Sequence, residues 1–174
     1  MRYLPDGKQM KEADRHTIED LGVPSLVLME RAALKTVETM EKRGIDTSKA
    51  LIVCGSGNNG GDGFAAARIL TEKGRQADIV FAGKESSMSE ECRVQKQIAE
   101  KIGLRIFTEF PEEEYTVIID AVFGVGLSRE ISGSYKDIIQ AMNHAPGRKV
   151  AVDIPSGVCA QDGRVLGTAF CAEL

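Results

Sequence analysis

The chain has 174 residues, 43% of them hydrophobic and 28% charged, and 26 acidic against 22 basic side chains leave a net charge of −4. That length suits one domain with a sizeable core, and the acidic balance, with a pI near 5.3, argues against a nucleic-acid or membrane-surface binder. No apolar run approaches the roughly 20 residues that span a bilayer, and an aromatic content of 5% without tryptophan offers no base-stacking platform.

The opening Met1-Arg2-Tyr3-Leu4-Pro5-Asp6 lacks an apolar h-region, so no secretory leader is expected. Cys54, Cys92, Cys159 and Cys171 are widely spaced and form no C-x-x-C pair. With only His16 and His144 beside them, no zinc constellation presents itself, and reduced thiols in a cytoplasmic protein are expected.

Lys8 to Asp20 places Met10, Ala13, Ile18 and Leu21 near helical spacing among many charges, the pattern of an amphipathic helix. Gly22-Val23-Pro24 breaks it, and Pro24 suits the first turn of a second helix, capped near Ser25 or by the preceding turn. That helix carries Leu26, Val27, Leu28, Met29, Ala32, Ala33, Val37 and Met40 and ends near Gly44. Glu30 and Arg31 read as ion-paired or solvent-facing charges, with Glu30 facing a ligand cleft as the alternative. Two helices ahead of the first strand must pack on a sheet or on another subunit, which favours a dimer.

From Ala50 the pattern alternates strand and helix. Strands are expected at Leu51–Cys54, Ala77–Phe81, Leu104–Phe107, Val117–Asp120 and Lys149–Asp153. Helices are expected at Gly61–Lys73, Met88–Ile102 and Ser134–Asn143. Short apolar strands between helices predict an α/β domain with a mainly parallel, doubly wound sheet.

The turn after the first strand is the most informative stretch. Gly55-Ser56-Gly57-Asn58-Asn59-Gly60 satisfies G-x-G-x-x-G, but no acid closes the second strand where a ribose-binding carboxylate belongs; Asp78 opens that strand instead. No Gly-Lys-Ser/Thr follows, which excludes a P-loop. The bland reading of Asp62 is a helix N-cap, yet a cap does not require two asparagines and four glycines around it. A Gly-rich turn at a helix start presents backbone N–H groups to an anion.

Parallel sheets bind ligands beyond the carboxyl ends of their strands. Three segments fall there: the Gly-rich turn with Asp62, Asp120 to Arg129, and Asp153 to Val158. Three acids beside glycine or serine on one edge predict a cleft. Such oxygens suit Mg²⁺, Ca²⁺ or a monovalent cation, or proton transfer by a carboxyl group of raised pKa. Gly124-Val125-Gly126 adds amides for phosphate, and Arg129 either pairs with a phosphate or with Glu130.

Together, Gly55-x-Gly-Asn-Asn-Gly-Gly-Asp-Gly63, Asp120-Ala-Val-Phe-Gly-Val-Gly-Leu127 and Asp153-Ile-Pro-Ser-Gly157 resemble the NAD(P)H-hydrate epimerase family, the YjeF N-terminal domain. Ala13-Asp14-Arg15 and Val23 to Glu30 are similar to that family's first two helices, and the resemblance runs from about Met10 to Gly167. It implies a three-layer α-β-α Rossmann-like domain with two N-terminal helices, usually a homodimer. It also implies an isomerase that interconverts the R and S forms of NADHX or NADPHX, nicotinamide cofactors hydrated at C6. A companion ADP- or ATP-dependent dehydratase then acts on the S form. The resemblance implies substrate contacts from Asn58, Asn59, Gly60, Gly61 and Asp62. It adds the loop Gly124, Val125, Gly126, Leu127, Ser128, Arg129 and Glu130, with Asp153 against the nicotinamide. It further implies K⁺ held by Asn59, Asp120 and Ser156. Asp153 is the first choice for acid–base catalysis and Asp62 the second.

Further strands and a Lys-Gly-containing segment normally follow in that family, so residues 1–174 are expected to form one domain, short at its C-terminus with an exposed sheet edge. The alternative to an enzyme is a non-catalytic dinucleotide- or ADP-ribose-binding module. A conventional dehydrogenase is disfavoured by the missing ribose acid and the lack of a proton-relay histidine.

Overall fold

A computed structural model describes residues 6–174; the leader expectation at Met1–Pro5 lies outside the described residues. Helix α1 spans Gly7–Arg15 and opens with a capping box. The Asp6 carboxylate accepts the N–H groups of Lys8 and Gln9, and the Gln9 side chain accepts the Asp6 N–H. The expected single helix continues only as a π-helical turn, His16–Asp20. Neither piece buries a side chain. Helix α2, Ser25–Lys42, starts after Pro24 without a side-chain cap and buries Met29, Ala33, Val37 and Met40, one stripe at helical spacing. Ser25 points elsewhere, its hydroxyl donating to Glu91 at 2.6 Å.

The βα region then gives β1 Lys49–Cys54, α3 Asn58–Glu72, β2 Gln76–Phe81, α4 Glu90–Lys101, β3 Ile106–Phe107, β4 Val117–Ala121, α5 Ser134–His144 and β5 Arg148–Ala151. All pairings are parallel, in the order β3-β2-β1-β4-β5. Alternation along the strands splits the core into two. Ile52, Cys54, Ile79, Phe81 and Ile119 face α2, α3 and α4, while Leu51, Val53, Val80 and Ile118 pack with Ile139 and Met142 of α5 and with Phe170. This is a three-layer α/β fold. The chain leaves β1 for α3 on one face and β4 for α5 on the other, so a crevice opens between their carboxyl ends.

Boundaries differ where local hydrogen bonds compete. Leu104 is not strand: its N–H donates to Ala99 O at the end of α4, after Gly103 turns with φ +80°. β5 ends at Ala151, which leaves Asp153 in the turn beyond it. Ser89 caps α4 by accepting the Cys92 N–H, and a 3₁₀ turn, Glu85–Ser87, precedes it. At the outer edge of β5, Glu173 N–H donates to Lys149 O and Ala151 N–H to Leu174 O, both at 2.8 Å.

The largest correction concerns α3, which begins at Asn58, three residues before the expected start, with Gly57 as N-cap and no side-chain cap. Asp62 is therefore in the helix and is not its cap. The glycines serve close packing. A Cβ on Gly63 would lie 2.5 Å from Ala121 Cβ and 2.7 Å from Cys54 Sγ; one on Gly61 would lie 2.6 Å from Met29 Cε.

Candidate active site

The crevice is a cleft of about 940 Å³ lined by the start of α3, the loop after β4, the turn after β5 and parts of α1 and α2. Asp120, near the end of β4, and Ser156 are each 1% exposed and lie behind the lining of the cleft, beneath the loop that carries Val122 and Phe123. One carboxylate oxygen accepts the Ser156 hydroxyl (2.7 Å) and the Val122 N–H (3.1 Å), the other the Ser156 N–H (2.7 Å). Burial raises the Asp120 pKa to about 6, against the pull of these three hydrogen bonds toward the ionised form.

The backbone of Phe123 joins this carboxylate to α3. Its N–H donates to Ser156 Oγ at 2.8 Å, and its carbonyl accepts from Asn59 Nδ2 at 2.9 Å. Asn59 Oδ1 is buried with no hydrogen-bond partner, an arrangement that natural interiors rarely leave unsatisfied. Asn59 and Ser156 thus meet at the Phe123 backbone, and Asp120 joins them through Ser156. Their oxygen donors match a hard cation. No cluster of three or more His, Cys, Asp or Glu able to hold a metal occurs among the described residues.

Nearer the mouth, the Val125 N–H donates to Asp153 Oδ2 at 2.9 Å, fixing an exposed carboxylate against the β4 loop. A Cβ on Gly124 would meet the same carboxylate, which would have to swing away to make room for it. Asp62 lines the cleft from α3. Burial, then the charges of Asp153 and Asp14, push its pKa up to about 7. Two carboxyl groups in unlike surroundings, one holding its proton near neutrality, can divide acid and base roles.

Asn58, Asn59, Asp62, Asp153 and the run Gly124 to Arg129 all line the cleft. Gly60 and Gly61 do not: Gly60 is packed on the Gly55 carbonyl and Gly61 on Met29 and Cys92. Glu130 lies beside a smaller cavity of about 160 Å³ that shares Arg129, Phe123 and Leu127 with the cleft. Glu30 is outside the cleft and pairs with Arg68, which also reaches Glu72 at 2.7 Å. The sequence reading missed Lys11 and Asp14 of α1 and Lys35, Thr36 and Thr39 of α2, all of which line the cleft. Their spacing on one helical face was the available signal. Burial raises the Cys54 thiol well above its ordinary range and the Cys92 thiol to about 12, so neither is a nucleophile.

The family described as YjeF-related protein N-terminus matches residues 25–174. The chain belongs to this family. Relatives include proteins named NAD(P)H-hydrate epimerase from Weissella koreensis, 42% identical over 94% of this chain and 75% of the relative. Another, of the same name, from Oenococcus oeni is 43% identical over 95% of this chain and 80% of the relative. A crystal structure of the yeast protein ynu0, YNL200c, superposes with a TM-score of 0.84 at 19% identity, covering 98% of this chain and 78% of that one. That likeness bears on the YjeF N-terminal fold alone.

Proposed function

We propose that this chain is an NAD(P)H-hydrate epimerase, an isomerase that interconverts the R and S forms of NADHX and NADPHX. The observation that carries the reading is the pair of carboxyl groups in one cleft, Asp62 raised to about 7 and Asp153 exposed on the Val125 N–H, in a chain whose relatives bear that name.

The reaction needs a proton at one face of the ring and a base at the other. Protonated Asp62 donates to the C6 hydroxyl, which leaves as water while the ring nitrogen lone pair forms a C=N⁺ bond. Water then adds to C6 from the opposite face and gives its proton to the Asp153 carboxylate. Exchange of protons with solvent restores both groups, and the net change is inversion at C6. Burial brings the Asp62 pKa to about 7, so a protonated fraction is available at neutral pH, and the Val125 N–H holds the Asp153 carboxylate at the cleft. The free N–H groups at the start of α3 and the amides of Gly124 and Gly126 suit the pyrophosphate.

A potassium ion fits the residues present. Asn59 Oδ1 is buried without a partner, next to Asp120 and Ser156, and these three would hold it. Bound there, it would supply positive charge close to the anionic ligand. The same reading includes a homodimer, supported by exposed Leu21, Val27 and Leu34 on the N-terminal helices. It also includes a reducing compartment, the cytoplasm, supported by four free cysteines. A separate or fused dehydratase would consume the S form. No helix among the described residues is long and apolar enough to cross a membrane.

The deciding experiment mixes S-NADHX with the protein at neutral pH and follows the R/S ratio by chromatography, in K⁺ and with K⁺ replaced by Na⁺. Protein-dependent exchange above the spontaneous rate, greater in K⁺, is expected. A folded protein that binds NADPH without accelerating exchange would instead be a non-catalytic dinucleotide-binding module.

A further inference from the structure

Helix α1 and its π-helical turn bury no side chain, so core packing does not explain where they lie. Their charges sort by face. Arg15 is held by Glu12 and Glu19, the latter at 3.1 Å, and His16 by Asp20 at 2.6 Å, all well exposed. Lys11 and Asp14 enter no ion pair or hydrogen bond among the described residues, and both line the cleft. Gly7, Lys11 and Asp14 stand at i, i+4 and i+7, one stripe of a helix. At the start of that stripe a Cβ on Gly7 would lie 3.6 Å from Val125 Cβ. Val125 belongs to the loop that holds Asp153. At the end of the stripe, Asp14 is close enough to Asp62 for its charge to help raise the Asp62 pKa.

We propose that α1 is a wall of the substrate site, with Lys11 holding a phosphate oxygen of the dinucleotide and Asp14 in contact with its reacting half. The proposal rests on the epimerase reading for the identity of that half. An ammonium is a compact phosphate ligand, and Lys11 projects into the cleft without a competing partner. Once Asp62 has given its proton to the leaving hydroxyl, Asp14 stands beside a second carboxylate, an arrangement disfavoured without positive charge close by. The iminium cation formed in the ring supplies that charge, so Asp14 interacts more strongly with the transition state than with the substrate. Lys11 and Asp14 lie within about 6 Å of each other along the helix, the reach of neighbouring groups on one ligand.

The test uses the full chain carrying Lys11→Met, Asp14→Asn or Asp14→Glu, with Glu12→Gln on the opposite face as control. Two readouts are taken: R/S exchange of NADHX, and binding of NADPH followed by its own fluorescence. Lys11→Met is expected to weaken NADPH binding and raise KM about tenfold or more while kcat stays within twofold. Asp14→Asn is expected to lower kcat about tenfold with little change in KM. Asp14→Glu should recover part of that loss, and Glu12→Gln should change neither readout. Lys11→Met and Asp14→Asn proteins that stay within twofold of the parent in both readouts overturn the proposal. A parent that binds NADPH but does not epimerise removes the epimerase reading alone; weaker binding by Lys11→Met then still upholds the wall. A parent that binds no NADPH overturns both.

Discussion

Replacing Asp62 by Asn removes a carboxyl group whose ionisation the fold opposes, and its effect on stability has a definite sign. The folded pKa is about 7 against an ordinary 3.8, mainly through burial. Because the folded value lies above the unfolded one, the folded state keeps a proton that the unfolded chain releases between about pH 4 and pH 7. Stability from this group is fully present below pH 4 and falls through that window to a lower plateau above pH 7. The interval, 7 minus 3.8, or about 3 decades of proton concentration, corresponds to about 4 kcal/mol at about 1.4 kcal/mol per decade. Partial exposure of Asp62 reduces the usable part to about 2 kcal/mol. In a chain of this size that is about 4–8 °C in Tm. Scanning calorimetry of parent and Asp62→Asn from pH 4 to pH 8.5 should show equal or nearly equal Tm at pH 4. A gap in favour of the variant should open up to pH 7 and then hold. Asp120, which titrates near pH 6 in both proteins, cancels in the difference. The variant should lose epimer exchange by about 10²-fold, so stability and activity move in opposite directions. A Tm difference that does not change with pH, or a variant less stable at pH 8, would refute the reasoning.

Other positions test other links. Asp153→Asn should slow epimer exchange by on the order of 10²-fold without lowering Tm, measured by chromatography of R and S forms; near-parental turnover sinks its role as base. Ser156→Ala withdraws the hydroxyl from buried Asp120 and should cost about 1–3 kcal/mol in urea unfolding, with loss of any K⁺ dependence of exchange. Gly63→Ala drives a methyl group into Ala121 and Cys54, with an expected cost of about 1–3 kcal/mol by the same assay; an unchanged midpoint would mean that α3 shifts freely on the sheet.

The strands were legible because each is a short apolar run bounded by turn residues, and their alternation with helices gave a mainly parallel sheet; the order β3-β2-β1-β4-β5 came only from the structure. Asp120, Ser156 and Asn59 were named from motifs in separate segments; Asn59 and Ser156 meet at the Phe123 backbone, and Ser156 bonds Asp120. Sequence spacing read Asn58 to Gly60 as part of the turn and began the helix at Gly61, since glycine weakens an isolated helix. Tertiary packing overrides that propensity: Gly60, Gly61 and Gly63 allow α3 to begin early and lie tightly on its neighbours. Lys11 and Asp14 were hidden for a different reason. Their spacing puts them on one face of α1, but that local pattern does not say that the face rests on a cleft whose other walls come from separate segments of the chain.

Helix α3 starts on Gly57 with no side chain over its first turn, where a Ser, Asp or Asn cap would add about a few tenths of a kcal/mol over glycine. The first amides of the helix are therefore completed only by whatever enters the cleft. In the free protein this turn is the part of α3 that opens most easily to hydrogen exchange, and an anionic ligand acts as the missing cap. Binding and local folding are then one event. Ligand at about a hundred times its Kd would add about 2.7 kcal/mol to the stability of the whole domain, and the gain in protection would begin at Asn58 and Asn59 before it reached the strands.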